Sequence, residues 1–155
     1  MTGTYAAKTE VTSERSRSEI ERTLGRYGAS HFGYMTAPGR AMVAFQKDDR
    51  QVRFIVPLPD RGSREFTLTP TGKRASDTAA EAKYEQAIRQ RWRALALVVK
   101  AKLEAVEAGI AEFDQEFYAY TVLPSGRTVY EETADQVAVM IQSGMPGRLM
   151  LEGAN

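Results

Sequence analysis

One stretch constrains this chain more than any other. Between residues 78 and 117, apolar side chains recur at Tyr84, Ile88, Trp92, Leu95, Val99, Leu103, Val106, Ile110, Phe113 and Phe117. Their mean spacing of about 3.67 residues is close to the helical period. An unbroken helix of that length would measure about 60 Å at ~1.5 Å per residue. A compact domain built from 155 residues is only about 40 Å across. The helix must therefore bend, with Gly109 the expected place, or protrude towards another subunit. Ala80, Ala87, Ala94, Ala101 and Ala108 also form a seven-residue ladder. Such a ladder either admits the close approach of another backbone or reflects the helix propensity of alanine.

The length suits one domain with a core of its own. Hydrophobic residues make up 43% and charged residues 26%, the balance of a soluble globular protein. No apolar run is long enough to span a bilayer, so no membrane partner is expected. Residues 1–12 lack the apolar core of a secretory signal. The sequence holds no cysteine, which excludes disulfides, thiolate metal sites and cysteine nucleophiles. A cytoplasmic location, within a host cell, is the expectation.

The net charge of +1 conceals a division along the chain. Residues 1–103 carry 19 Lys and Arg against 11 Asp and Glu, whereas residues 104–155 carry 2 against 9. Either one face meets an anionic partner, or the two halves attract each other within a chain or between copies.

Read in order, residues 1–12 have no period and are expected to be a disordered tail. A helix over 14–27 follows, capped by Ser13 or by a Ser16/Glu19 box, with Ile20, Leu24 and Tyr27 on one stripe and Gly28 as its stop. The pattern then changes to period two. Phe32 and Tyr34, then Val43 and Phe45 within 40–47, then Val52, Phe54, Val56 and Leu58 within 51–58 mark three strands. Pro38-Gly39 and Asp48-Asp49-Arg50 supply the turns, which favours an antiparallel meander covered on one face by the long helix. Residues 59–77 form a long irregular segment in which 65–69 can make a short edge strand. Thr78 with Glu81 matches a capping box at the start of the long helix. Residues 118–122 change period and read as a strand or an extended exit, 123–126 turn, and Thr128 with Glu131 open a last helix to about Ser143. Val129, Val137 and Met140 or Ile141 are expected to face inward on it, and Gly144 and Pro146 end it. The fold class is α+β: one domain over 13–145, with a tail over 146–155.

Chemistry-bearing motifs are few. His31 has no second histidine or carboxylate cluster near it in sequence, so neither a zinc site nor a serine-histidine-aspartate site is expected. Pro59-Asp60 followed by Glu81-Ala82-Lys83 fits the loose nuclease pattern in which two carboxylates hold Mg²⁺. Glu81, however, is better explained as a helix cap. Thr71-Gly72-Lys73 lacks the upstream glycine of a phosphate-binding loop. No cofactor is implied, and a non-enzymatic role is favoured.

The basic residues are more suggestive. Arg61, Arg64, Lys73 and Arg74 lie in the irregular segment. Arg89 and Arg93 share one face of the long helix, where Glu85 can pair with Arg89. If these six converge, they form a groove for a phosphate backbone, and exposed Tyr or Phe from the meander can stack bases. Trp92 lies on the apolar stripe and is expected in the core. On the acidic side, Glu104, Glu107, Glu112 and Glu116 are the candidate face for a homo-oligomer or for a host protein.

Two resemblances bear on this reading. Residues 14–29, ERSRSEIERTLGRYGA, resemble a family of small phage and prophage proteins. So do Arg89-Gln90-Arg91-Trp92-Arg93-Ala94-Leu95 and the run from Lys102 to Ile110. This resemblance covers about residues 10–130 and implies a phage origin. The order helix, three-strand meander, long helix is also similar to the core of phage single-strand annealing proteins of the Red-beta and Erf kind. Those assemble into rings or filaments with DNA in a basic groove beside sheet and helix. No residue motif carries that likeness, so it transfers no site. The expectation is an oligomeric, single-strand-binding protein of phage DNA metabolism; the alternative is a phage module that binds a host protein through the acidic half.

Overall fold

The computed structural model describes the backbone of residues 3–144 and the side chains of residues 13–144. The element order is α1 (Gly3–Arg26), β1 (Ser30–Ala37), β2 (Arg40–Lys47), β3 (Arg50–Pro57), α2 (Arg64–Thr67), α3 (Asp77–Glu107), α4 (Phe113–Glu116), a 3₁₀ turn (Tyr118–Tyr120) and α5 (Val129–Ser143). This is an α+β fold with an N-terminal helix, a three-stranded antiparallel meander, a long central helix and a small C-terminal helix. The expected tail over 146–155 lies outside the described residues.

The meander follows from alternation and turn chemistry. The strands lie in the order β1-β2-β3 and are joined by two-residue loops: Ala37 pairs with Arg40 around Pro38-Gly39, and Lys47 with Arg50 around Asp48-Asp49. Gly39 takes φ 77, as glycine after proline does in a tight turn. Ala41, Val43, Phe45, Val52, Phe54 and Val56 point to one face and are buried. Ile88, Trp92, Ala96, Val99 and Leu103 of α3 and Ile20 and Leu24 of α1 complete that core. Phe117 is fully buried in it, edge-on to Phe45 and Phe54 at centroid distances of 5.9 and 6.3 Å and stacked on Phe113 at 4.6 Å.

The long helix ends well before Phe117. The stop is a Schellman motif, in which Gly109 N–H bonds the Val106 carbonyl at 3.2 Å and Ile110 N–H bonds the Ala105 carbonyl at 3.0 Å. Gly109 takes φ 75, a conformation that costs a side-chain-bearing residue about 1–2 kcal/mol. The chain reverses there, and Lys102 fixes the reversal. Its ammonium donates to the Glu116 carbonyl and carboxylate at 3.2 and 3.1 Å and lies over the Tyr120 ring at 5.3 Å.

Other expectations need correction. Residues 3–12, expected as a tail, continue α1 as helix. Ser13 is a buried residue inside that helix and not its cap. Residues 65–69 do not form an edge strand. Arg64–Thr67 is a turn of helix that places Phe66 edge-on to Tyr84 at 5.5 Å. The cap of α3 is Ser76, whose hydroxyl accepts from Ala79 N–H at 3.2 Å, so Thr78 and Glu81 form no capping box there. The Thr128/Glu131 capping box of α5 does form. On α5 only Val129 is buried; Val137, Met140 and Ile141 are exposed. Ala94, Ala101 and Ala108 of the alanine ladder are exposed, so none of the described residues packs closely over them.

Truncating Phe117 to alanine removes an aromatic that three other rings contact. The expected loss is about 3–5 kcal/mol in urea denaturation. Ile110→Ala, at a position 81% exposed, should change stability by less than about 0.5 kcal/mol.

Candidate nucleic-acid interface

Helices α1 and α3 run in the same direction. Arg15 and Glu19 of α1 lie beside Arg89 and Arg93 of α3, and Tyr27 at the end of α1 lies beside Glu104 and Glu107. The α3 stripe of Ile88, Trp92 and Leu103 turns to the core, so Arg89 and Arg93 fall on the side facing α1. Between the two helices runs a groove of about 580 Å³ lined by Arg15, Ser16, Gln86, Arg89, Arg93 and Leu97, among others. Arg15, Arg89 and Arg93 are exposed there, and none of them makes an ion pair among the described residues. The i, i+4 pair that Glu85 could make with Arg89 is not made.

The six basic residues do not share one groove. Arg89 and Arg93 line the α1–α3 groove, and none of the four loop residues does. Arg61 donates to Glu81 at 2.6 Å and covers the Tyr84 ring at 4.1 Å, bracing the loop against the start of α3. Arg64, in α2, and Lys73 and Arg74, beyond it, are exposed and make no ion pair among the described residues. Sequence reasoning missed Arg15. Its signal was available, since a helix with a buried stripe must lie beside α3, but its partner face was not.

The nuclease-like pattern has other tasks. Asp60 accepts from Gly62 N–H at 3.0 Å and closes its own turn, while Glu81 holds Arg61. His31 takes φ 55 at an irregularity in β1 and shares a 2.9 Å hydrogen bond with the Ser30 hydroxyl. Nor do the meander aromatics offer a stacking platform. Phe45 and Phe54 are buried, and Phe32 and Tyr34 pack against the core. Tyr34 donates to the Arg17 carbonyl at 3.0 Å, and burial, reinforced by Glu21 and opposed by Arg17, pushes its phenol up to about 12.

The acidic half is largely bound within the chain. Asp114 receives two hydrogen bonds from Arg50 at 3.0 and 3.2 Å. Glu116 pairs with Lys102, Glu132 with Arg127, and Glu104 with Lys100. Glu107 sits against the Tyr27 hydroxyl, whose pKa rises first through desolvation and then through the charges of Glu107 and Glu104. Of the four acidic residues expected to make an interface, only Glu112 has no partner among the described residues. Glu131 joins Arg53 at 3.1 Å while bonding Thr128 N–H. That backbone bond, with Arg53 and Arg127 adding to it, holds the Glu131 carboxyl below its usual range.

Comparison with family models, with curated proteins and with solved structures finds no match.

The lowered pKa of Glu131 fixes the sign of a pH effect. Its contribution to stability is complete above about pH 4.5, the unperturbed value, and disappears as pH falls through the lower folded value. Thermal melts should therefore place Glu131→Gln below the native chain at pH 7. The two melting temperatures should converge as the pH is lowered well below that range.

Proposed function

We propose that the protein is a non-enzymatic nucleic-acid-binding protein that contacts a phosphate backbone along the α1–α3 groove. One observation carries this reading. Three guanidinium groups, those of Arg15, Arg89 and Arg93, share one groove with a single carboxylate, Glu19, and none of them makes an ion pair among the described residues. Forked cations outside any ion pair are suited to phosphate oxygens, which binding frees of their counterions. Arg64, Lys73 and Arg74 form a second basic surface at the α3 start, suited to prolonging the same track. With the meander aromatics turned inward, affinity comes from the backbone and not from stacked bases. A role in phage DNA metabolism is the setting that the sequence resemblance suggests.

Binding of a fluorescent single-stranded oligonucleotide and of a duplex, each titrated against salt, tests this. Log K should fall linearly with log salt, and Arg89→Ala with Arg93→Ala should flatten the slope by about 1–2. Absence of binding to either form at low salt would sink the proposal. An unchanged slope in the double variant would move the site to another surface.

A further inference from the structure

Two apolar surfaces on this chain are left uncovered by its own described residues. The first is the distal half of α5. Val137, Val139, Met140 and Ile141 are all exposed, Met140 to 64% and Ile141 to 74%. The backbone of α5 approaches only the 3₁₀ turn, and its first turn is pinned by the Arg53–Glu131 pair and by Arg53 donating to the Gly126 carbonyl at 2.9 Å. That anchoring, with the capping box, sets the direction of the helix and keeps its far half off the body. The second surface is the outer face of the sheet. Met35 pairs with Met42, and Met42 with Ile55, so the three side chains form one row across the strands. Met35 is 54% and Ile55 40% exposed. An exposed apolar helix and an exposed apolar sheet row on one chain mark an association surface.

From this arrangement we infer that two copies of the chain associate about a two-fold axis, each laying the distal half of α5 on the outer Met35–Met42–Ile55 row of the other. Charge selects this pairing. On the outer sheet face the apolar row is flanked by Arg53, already held by Glu131, and by Arg40, which makes no ion pair among the described residues. On α5 the apolar half is preceded by Asp135, which is exposed and also without one. An arginine beside the apolar row, Arg40, thus faces an aspartate beside the apolar helix, Asp135. Pairing α5 with α5 would instead bring like charges together and leave the sheet row wet. Area favours the reciprocal form. A reciprocal pair buries twice the area of a single contact, which brings a small patch towards the roughly 1,200 Å² where specific association begins. A closed two-fold pair also uses both surfaces once and leaves none to propagate a fibre. The α1–α3 groove lies on the helical side of the sheet, so association leaves it open in both copies.

Sedimentation velocity on the full chain over about 1–200 µM tests the pairing, with circular dichroism reporting the fold. The native chain should pass from monomer to dimer across that range. Ile141→Asp on the helix and, separately, Ile55→Lys on the sheet should each raise the dissociation constant at least tenfold while the fold signal is kept. Arg40→Asp should weaken association, and adding Asp135→Arg should restore it. A native chain that stays monomeric at 200 µM overturns the inference. So does a dimer indifferent to Ile55→Lys, which would place the contact between α5 helices, and so does a failure of the charge exchange to restore association.

Discussion

Everything in this protein depends on covering one face of a three-stranded meander. Its second and third strands present Ala41, Val43, Phe45, Val52, Phe54 and Val56 on a single side, and a sheet this small cannot stand alone in water. α3 supplies the cover, α1 widens it, and Phe117 closes the remaining gap after the chain has reversed. The hydrophobic term is non-directional, so the particular arrangement comes from devices that set direction. The Schellman stop at Gly109, the Lys102 clasp on Glu116, and the edge-on packing of Phe117 against two sheet aromatics bring the reversed chain back to the core. Without them the apolar period of α3 would run on beyond the sheet it covers.

Much of this was legible in the chain because burial on one side imposes a period. The strands reveal themselves through Val52, Phe54 and Val56, and the turns through Pro38-Gly39 and Asp48-Asp49. The length of the pattern calls for a bend, with Gly109 the expected place, or for a protruding end, and the pattern itself continues to Phe117. That continuation is real packing, made by Phe113 and Phe117 from separate short elements, so the period alone could not distinguish one helix from two. What stayed hidden depends on tertiary partners. Phe66 turns a strand-like segment into a helical turn because Tyr84 waits for it. Ser76 and Thr78 are both acceptable caps by local chemistry, and the loop anchored by Arg61 on Glu81 decides between them.

The candidate sites were legible as residue types and not as places. Arg89 and Arg93 could be assigned to one helix face, but the groove needs Arg15, which comes from a helix whose neighbour the sequence does not name. The acidic half shows the opposite case. A row of carboxylates reads as an exposed working face, yet Asp114, Glu116 and Glu131 each hold a cation from another element. The apolar stripe of α5 reads as interior because a hydrophobic stripe carries no label saying which molecule covers it.

The shared direction of α1 and α3 has an electrical consequence. Peptide dipoles in parallel helices add, leaving roughly half a positive charge at each leading end and half a negative charge at each trailing end. The leading end of α3 adjoins the loop of Arg61, Lys73 and Arg74, and its trailing end carries Glu104 and Glu107. The loop before α3 and the late glutamates therefore reinforce its backbone dipole, against the opposing charges of Asp77 at its start and Arg26 at the end of α1, and this part of the molecule is a weak bar with a positive and a negative pole. A charged body approaching such a bar feels it before contact, at a separation of about one Debye length, ~10 Å at moderate salt.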